Sequence, residues 1–282
     1  MGLILGNKEE FEKAVILTTG QTLNSRYDMY AVDKVFQNVN VLIADEVHYF
    51  GANSFFKVSH LFPNAFMRFG FSSTPKGRSD NADIRVVGVF SPEFINVDET
   101  LIDRIVPLQI ILIKYHQETT KGLQSLDIVN TYDDLLLLES RKQTIISTAQ
   151  KLSKQDLSWL IFVDRLAYGE ELANKLSVPF AHANADRKTI FEDMKQKRII
   201  GCVSTIGKEG LDIPNLDAII NTSIISTPIN IIQKSGRVRR KGDGKQVGIV
   251  IDLYDESGKA LSWTKKRMTI YKKIGNIFVG NL

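Results

Sequence analysis

The chain has 282 residues, 43% of them hydrophobic and 24% charged, the composition of a folded globular protein rather than a disordered one. No run reaches the ~18 consecutive apolar residues of a membrane span, the start MGLILG is too short and too neutral for a signal peptide, and the single Cys202 excludes a disulfide scaffold or a multi-cysteine zinc site, so a cytoplasmic protein with no membrane partner is expected. The net charge of +4 is uneven: residues 1–110 hold 10 Lys/Arg against 13 Asp/Glu, and residues 111–282 hold 26 against 19, which points to a polyanionic partner for the second part.

In chain order, Ala14–Thr18, Val39–Ala44 and Met67–Phe71 read as strands separated by polar, helix-like stretches. Such alternation predicts a parallel sheet with helices on both faces, with functional residues at the carboxyl ends of the strands. The run 101–115 is apolar but broken by Pro107, and a domain junction is placed there, giving domains 1–105 and 106–282. Residues 116–130 read as a loop. Helical spacing over Tyr132–Leu152 predicts one helix with Leu135, Leu138, Ile145, Ile146, Ala149 and Leu152 buried. A second alternation follows: strand Trp159–Val163, helix Gly169–Leu176, and strands Arg198–Ser204, Leu216–Asn221 and Gln246–Leu253. The basic stretch Lys259–Ile274 closes the pattern as a helix, with Leu261, Met268, Tyr271 and Ile274 on its apolar side. Trp263 and Tyr271 either pack that helix or stack on bases, and packing is the expectation. Cys202, in an apolar strand, is expected to be buried and inert.

Four segments carry chemistry. In Val41-Leu42-Ile43-Ala44-Asp45-Glu46-Val47-His48 an apolar strand delivers two carboxylates and a histidine to its end. Nucleotide hydrolysis uses such a pair, one carboxylate holding Mg²⁺ and the other orienting the attacking water. The same pair also suits a solvated acidic turn. Ser72-Ser73-Thr74-Pro75 follows the next strand and reads as a rigid turn able to meet His48 or a phosphate. Ser204 to Pro214 ends a strand in Ser-Thr and continues into a glycine-flanked acidic turn, where glycine permits close approach to a phosphate. Gln233-Lys234-Ser235-Gly236-Arg237-Val238-Arg239-Arg240 places Arg237 and Arg240 three apart, on one face if helical. Guanidiniums there suit a transferring γ-phosphate or plain backbone binding.

Together and in this order, these segments resemble the superfamily 2 helicases and translocases of the DExH-box type, most like phage UvsW-type DNA helicases. Asp45-Glu46-Val47-His48 matches motif II, Ser72–Pro75 is similar to motif III, Ile161-Phe162-Val163 resembles motif IV, Ser204–Pro214 matches motif V, and Gln233–Arg240 matches the motif VI pattern QxxGRxxR. The stretch AVILTTGQTL, with Thr19 and Gln21, resembles the segment that touches the tracked strand. The resemblance implies an α/β fold of two RecA-like parallel-sheet domains with ATP in the cleft between them. It implies that Asp45 holds Mg²⁺, that Glu46 is the catalytic base, and that His48 couples to Ser72 and Thr74. It further implies that Gly210 and Asp212 bind the nucleotide, that Thr19, Gln21, Thr205 and Lys208 contact nucleic acid, and that Arg237 and Arg240, with Gln233 beside them, act on the γ-phosphate.

The sequence has no G-x-x-x-x-G-K-[ST]. Gly242-Asp243-Gly244-Lys245 has the Gly-Lys pair, but Arg239 stands at the first glycine and Gln246 follows. The first domain is therefore expected to be incomplete at its N-terminus, with an unpaired sheet edge and little ATPase activity alone. A separate polypeptide carrying the phosphate-loop half would complete it. The alternative is a non-enzymatic nucleic-acid-binding remnant that uses Lys234–Lys245 and the Lys259–Lys273 helix. DNA, single-stranded or branched, is the expected substrate.

Overall fold

A computed structural model describes residues 1–72, 81–97, 105–118, 127–182, 190, 192, 199–204, 215–242, 244–256 and 258–280. The chain divides into two compact units, Met1–Val97 and Asp98–Leu282.

The first unit opens with β1 (Gly2–Leu5) and β2 (Lys8–Glu9), an antiparallel hairpin that turns at Gly6, whose φ of 58° is one that glycine adopts without strain. Next, β3 (Ile16–Thr18) runs parallel to β1, in the order β2-β1-β3. Its short helices are α1 (Gly20–Ser25), α2 (Tyr27–Val32), α3 (Asn53–Ser59) and α4 (Asp83–Val89). Ile4, Leu23, Tyr30, Phe36, Val58 and Phe62 form its main core, with edge-on contacts from Phe11 to Tyr30 and from Tyr30 to Phe36. Arg26 and Tyr30 both bond the Glu9 carboxylate, which ties the hairpin to α2.

Among the described residues, strands β4 (Val41–Ala44) and β5 (Met67–Gly70) pair only with each other, in parallel. This corrects the single sheet expected for this region: the described strands form two sheets. β3 pairs with β1 and passes at Thr19 straight into α1. Val41 pairs with Met67 and Ile43 with Phe69. All four lie exposed on one face of the ribbon, Ile43 at 66% and Phe69 at 50%.

The second unit is built on a seven-stranded parallel sheet in the order β12-β6-β11-β10-β7-β9-β8. These strands are β6 (Leu108–Lys114), β7 (Trp159–Val163), β8 (Phe180–Ala181), β9 (Ile200–Ser204), β10 (Ala218–Asn221), β11 (Gly248–Tyr254) and β12 (Asn276–Gly280). Parallel strands covered on both faces read as unbroken apolar runs, and β7 shows why. Its residues Trp159, Ile161 and Val163 enter one core and Leu160 and Phe162 the other, all fully buried.

The expected helix Tyr132–Leu152 is two helices, α5 (Ile128–Leu137) and α6 (Glu139–Lys154). Leu138 between them has an extended ψ of 115°, while Asp127 caps α5 through Val129 N–H. The apolar period continues across the break, so the six residues named as its stripe are all buried. α7 (Leu166–Leu176), α8 (Pro228–Gly236) and α9 (Gly258–Ile274) complete the unit. On α9 the buried side chains are Ala260, Trp263, Thr264, Arg267 and Tyr271. That corrects the expected apolar side, on which Leu261, Met268 and Ile274 are only partly buried, and it confirms packing for Trp263 and Tyr271. Cys202 is fully buried, and burial pushes its thiol up to about 12. No helix among the described residues is long and apolar enough to cross a membrane.

Candidate active site

In the first unit the site grows from the carboxyl end of β4. Asp45 is exposed, and one of its carboxylate oxygens accepts the Glu46 N–H at 2.8 Å, which fixes its orientation. Glu46 sits in the left-handed region, φ 50° and ψ 47°, a conformation that costs a non-glycine residue about 1–3 kcal/mol and is typical of functional turns. The chain then enters a 3₁₀ turn, Val47–Gly51. Two backbone bonds hold this turn to β5: Phe71 N–H to Ala44 O at 2.8 Å and Val47 N–H to Phe71 O at 2.9 Å. Gly70 lets Val47 lie close, since a Cβ there would stand 2.7 Å from Val47 Cγ2.

The pairing delivers Ser72 to His48. The His48 ring is buried, and its Nδ1 lies 3.0 Å from Ser72 Oγ and 3.2 Å from Glu46 Oε2. One ring nitrogen thus faces both the glutamate and the hydroxyl on the neighbouring strand. Asp45, a fixed and exposed carboxylate, suits a hard cation that keeps most of its water and takes one or two carboxylates. At the end of β3, the Thr19 hydroxyl caps α1 by accepting Thr22 N–H at 3.2 Å, and Gln21 is exposed on the first turn. Thr74, Thr205, Lys208, Gly210 and Asp212 lie outside the described residues.

The second unit presents the arginine segment. Thr227 caps α8, Pro228 occupies its first turn, and Gln233 lies near its end. Arg237–Arg239 form a 3₁₀ turn, and Arg240 is extended, with φ −66° and ψ 131°. Arg237 and Arg240 therefore do not share one helical face, contrary to the spacing argument. The helix ends at Gly236, and the backbone pairs instead with the chain before β6: Val106 N–H bonds Arg239 O at 2.7 Å, and Ile105 bridges Arg240. Gly248 lies under this turn, where a Cβ would stand 2.2 Å from Val238 O. Burial lowers the pKa of Arg237.

Sequence reasoning missed what lies beneath. Lys234 is buried and donates to Asn221 Oδ1 at 2.9 Å and to Ser223 Oγ. Asn221 donates to Asp252 Oδ2 at 3.2 Å. That carboxylate also accepts Arg267 Nε at 3.0 Å and Tyr271 O–H at 2.7 Å. Arg267 continues to Asp255 at 3.2 Å, and Arg141 and Tyr115 reach Asp255 from other elements. A fully buried polar network thus joins α8 to α9 through the ends of β10 and β11. The signal available was the i, i+4, i+8 spacing of Trp263, Arg267 and Tyr271.

Two family models match the chain: the Type III restriction enzyme res subunit over residues 1–77 and the Helicase conserved C-terminal domain over residues 127–242. By these two matches the chain is similar to the superfamily 2 helicases. It is 26% identical to the "Probable helicase D10" of Escherichia phage T5, across 97% of this chain and 61% of that protein. It is 25% identical to the "Putative helicase 22" of a Sulfolobus islandicus filamentous virus, across 94% of this chain and 53% of that protein. The chain thus spans little more than half the length of these relatives. The crystal structure of T4 UvsW superposes on 99% of this chain and 62% of its own, with a TM-score of 0.53 at 17% identity, a likeness of fold. The likeness is to the α/β fold of RecA-like domains.

Proposed function

We propose that this chain is the motor portion of an ATP-dependent DNA helicase or translocase. The observation that carries this is His48 Nδ1 set between Glu46 and Ser72. A base and a strand-end hydroxyl linked through one imidazole allow hydrolysis at Glu46 to be felt at β5. Glu46 takes a proton from the attacking water, and His48 holds its carboxylate in place. His48 then relays its position to Ser72 and on to Thr74. Mg²⁺, when bound at Asp45, supplies charge neutralisation at the β- and γ-phosphates. Arg237 and Arg240 offset charge developing on the γ-phosphate, with Gln233 beside them. Gly210 and Asp212 hold the nucleotide, and Thr19, Gln21, Thr205 and Lys208 contact the strand. DNA is favoured because the first unit matches a restriction-enzyme subunit. The phosphate-binding loop, absent from this sequence, is supplied by a separate polypeptide or a longer form of the chain.

The test is steady-state ATPase activity of the chain, alone and with a phosphate-loop polypeptide added, with and without single-stranded DNA, branched DNA or RNA. Turnover should appear only with the loop supplied, rise with DNA, and fall about 10³-fold or more in Glu46→Gln. Turnover that survives Glu46→Gln sinks the assignment. Glu46-dependent turnover by the chain alone sinks only the need for a second polypeptide.

A further inference from the structure

The basic surplus of the second part of the chain comes from one short segment. Residues 111–256 hold 20 Lys/Arg and 19 Asp/Glu, nearly neutral. Residues 257–282 hold six Lys/Arg and no Asp or Glu at all. Most of that segment is α9.

The helix sorts its cations in two directions. Arg267 turns inward to Asp252 and Asp255 and carries no free charge to the surface. Lys265, Lys266, Lys272 and Lys273 turn outward, together with Ser262 and Thr269. At 100° per residue these six positions fall within an arc of roughly 120°. The two hydroxyls bond back to the helix, at Lys259 O and Lys265 O, which leaves the lysines as the polar reach of the face. None of these four lysines forms an ion pair among the described residues.

We propose that this face is a docking surface for the phosphate backbone of duplex nucleic acid, beyond the motif residues. It rests on the nucleic-acid part of the function proposed above and not on ATP turnover. Charge complementarity names the ligand. From Lys265 to Lys273 the helix rises about 12 Å, and one strand of a duplex presents a phosphate about every 3.4 Å along its axis, so four lysines meet three or four phosphates. Lysines act as point charges without the planar fork that reads base edges, so the contact is blind to sequence. Both aromatic rings of the helix, Trp263 and Tyr271, are buried, so the face has no platform for stacking unpaired bases. Those buried rings argue against a membrane as well, because a surface-bound helix needs a free apolar side. The inner network, with Tyr271 and Arg267 both on Asp252, fixes which way the helix faces.

The test is binding of a labelled 30-base-pair duplex without ATP, titrated from about 50 to 200 mM salt. The quadruple variant Lys265→Gln, Lys266→Gln, Lys272→Gln, Lys273→Gln should lower the slope of log affinity against log salt by about 3–4 and weaken binding at least about tenfold at 100 mM. The matching quadruple Lys→Arg variant should keep the slope of the unmodified chain. Because the assay contains no ATP, its outcome does not depend on the ATPase assignment. No duplex binding by the unmodified chain, or a slope changed by less than one in a Gln variant with an unaltered circular dichroism spectrum, overturns the proposal. So does lysine-dependent binding to phosphatidylserine vesicles without binding to the duplex.

Discussion

The two units contain strands that look alike in sequence and live in different surroundings. Val41–Ala44 reads VLIA and Trp159–Val163 reads WLIFV. The second is covered on both faces; the first shows Val41 and Ile43 to solvent. An apolar run therefore specifies a strand but not what covers it. The difference also shows how the turn at Asp45–His48 is kept. The end of β4 is not held by a full sheet. Two backbone bonds to Phe71, the Asp45–Glu46 contact and the buried His48 ring hold it locally.

The sharpest way to break the comparison is to put the same charge into both strands. Ile161→Lys places an ammonium in a sealed core and should abolish cooperative folding of the second unit, a loss above about 5 kcal/mol. Ile43→Lys lands on an exposed face and should cost under about 0.5 kcal/mol. Both tryptophans, Trp159 and Trp263, lie in the second unit, so fluorescence-monitored urea unfolding follows that unit alone. Ile43→Lys should leave its midpoint unchanged, with proteolysis of the first unit as the companion measurement. A large loss from Ile43→Lys would show that β4 is covered in solution.

A smaller effect sharpens the same contrast. The second unit relies on buried ions where the first relies on surface ones such as Arg26–Glu9. Arg267→Ala strands Asp252 and Asp255 without their cation and should cost about 3–5 kcal/mol. Arg267→Met with Asp252→Asn removes charge from both sides and should recover part of that loss. Arg26→Ala should cost much less, since that pair is partly hydrated. Equal costs for Arg267→Ala and Arg26→Ala in thermal unfolding would remove the distinction.

These cases show what the sequence carries. β7 and β9 to β11 were legible to within two residues, because a covered parallel strand leaves an apolar run between polar turns. Asp45, Glu46 and His48 were legible as a cluster, because all lie within four residues. Ser72 was placed beside His48 by motif order alone, and the β4–β5 register makes the contact real. The network under α8 was not legible, since Asn221 meets Asp252 only through the pairing of β10 with β11. Arg267 was hidden in a run of lysines and reads as surface charge until the helix phase is counted. The break at Leu138 left no mark, since the apolar period runs through it. β12 was missed because Ile277 is half-buried while Phe278 and Val279 are exposed, which gives no clean alternation.

The mildest prediction concerns Lys245, in the stretch that mimics part of a phosphate-binding loop. Its Nζ donates to Leu216 O rather than reaching outward, and burial lowers its pKa from 10.5 to about 8, partly countered by Asp217. The charged form is therefore disfavoured in the folded state. Between pH 8 and 10.5 the unfolded chain holds more protons at this site than the folded one, so stability rises with pH across that window. Below pH 8 the lysine is charged in both states and its burial cost stands in full. Because the side chain keeps part of its hydration, the gain should be at most about 1 kcal/mol. Lys245→Met should flatten the rise, seen as the difference between the two urea midpoints followed from pH 7 to 10.5. Parallel curves would mean that Lys245 is solvated in the folded chain and free to meet an anion.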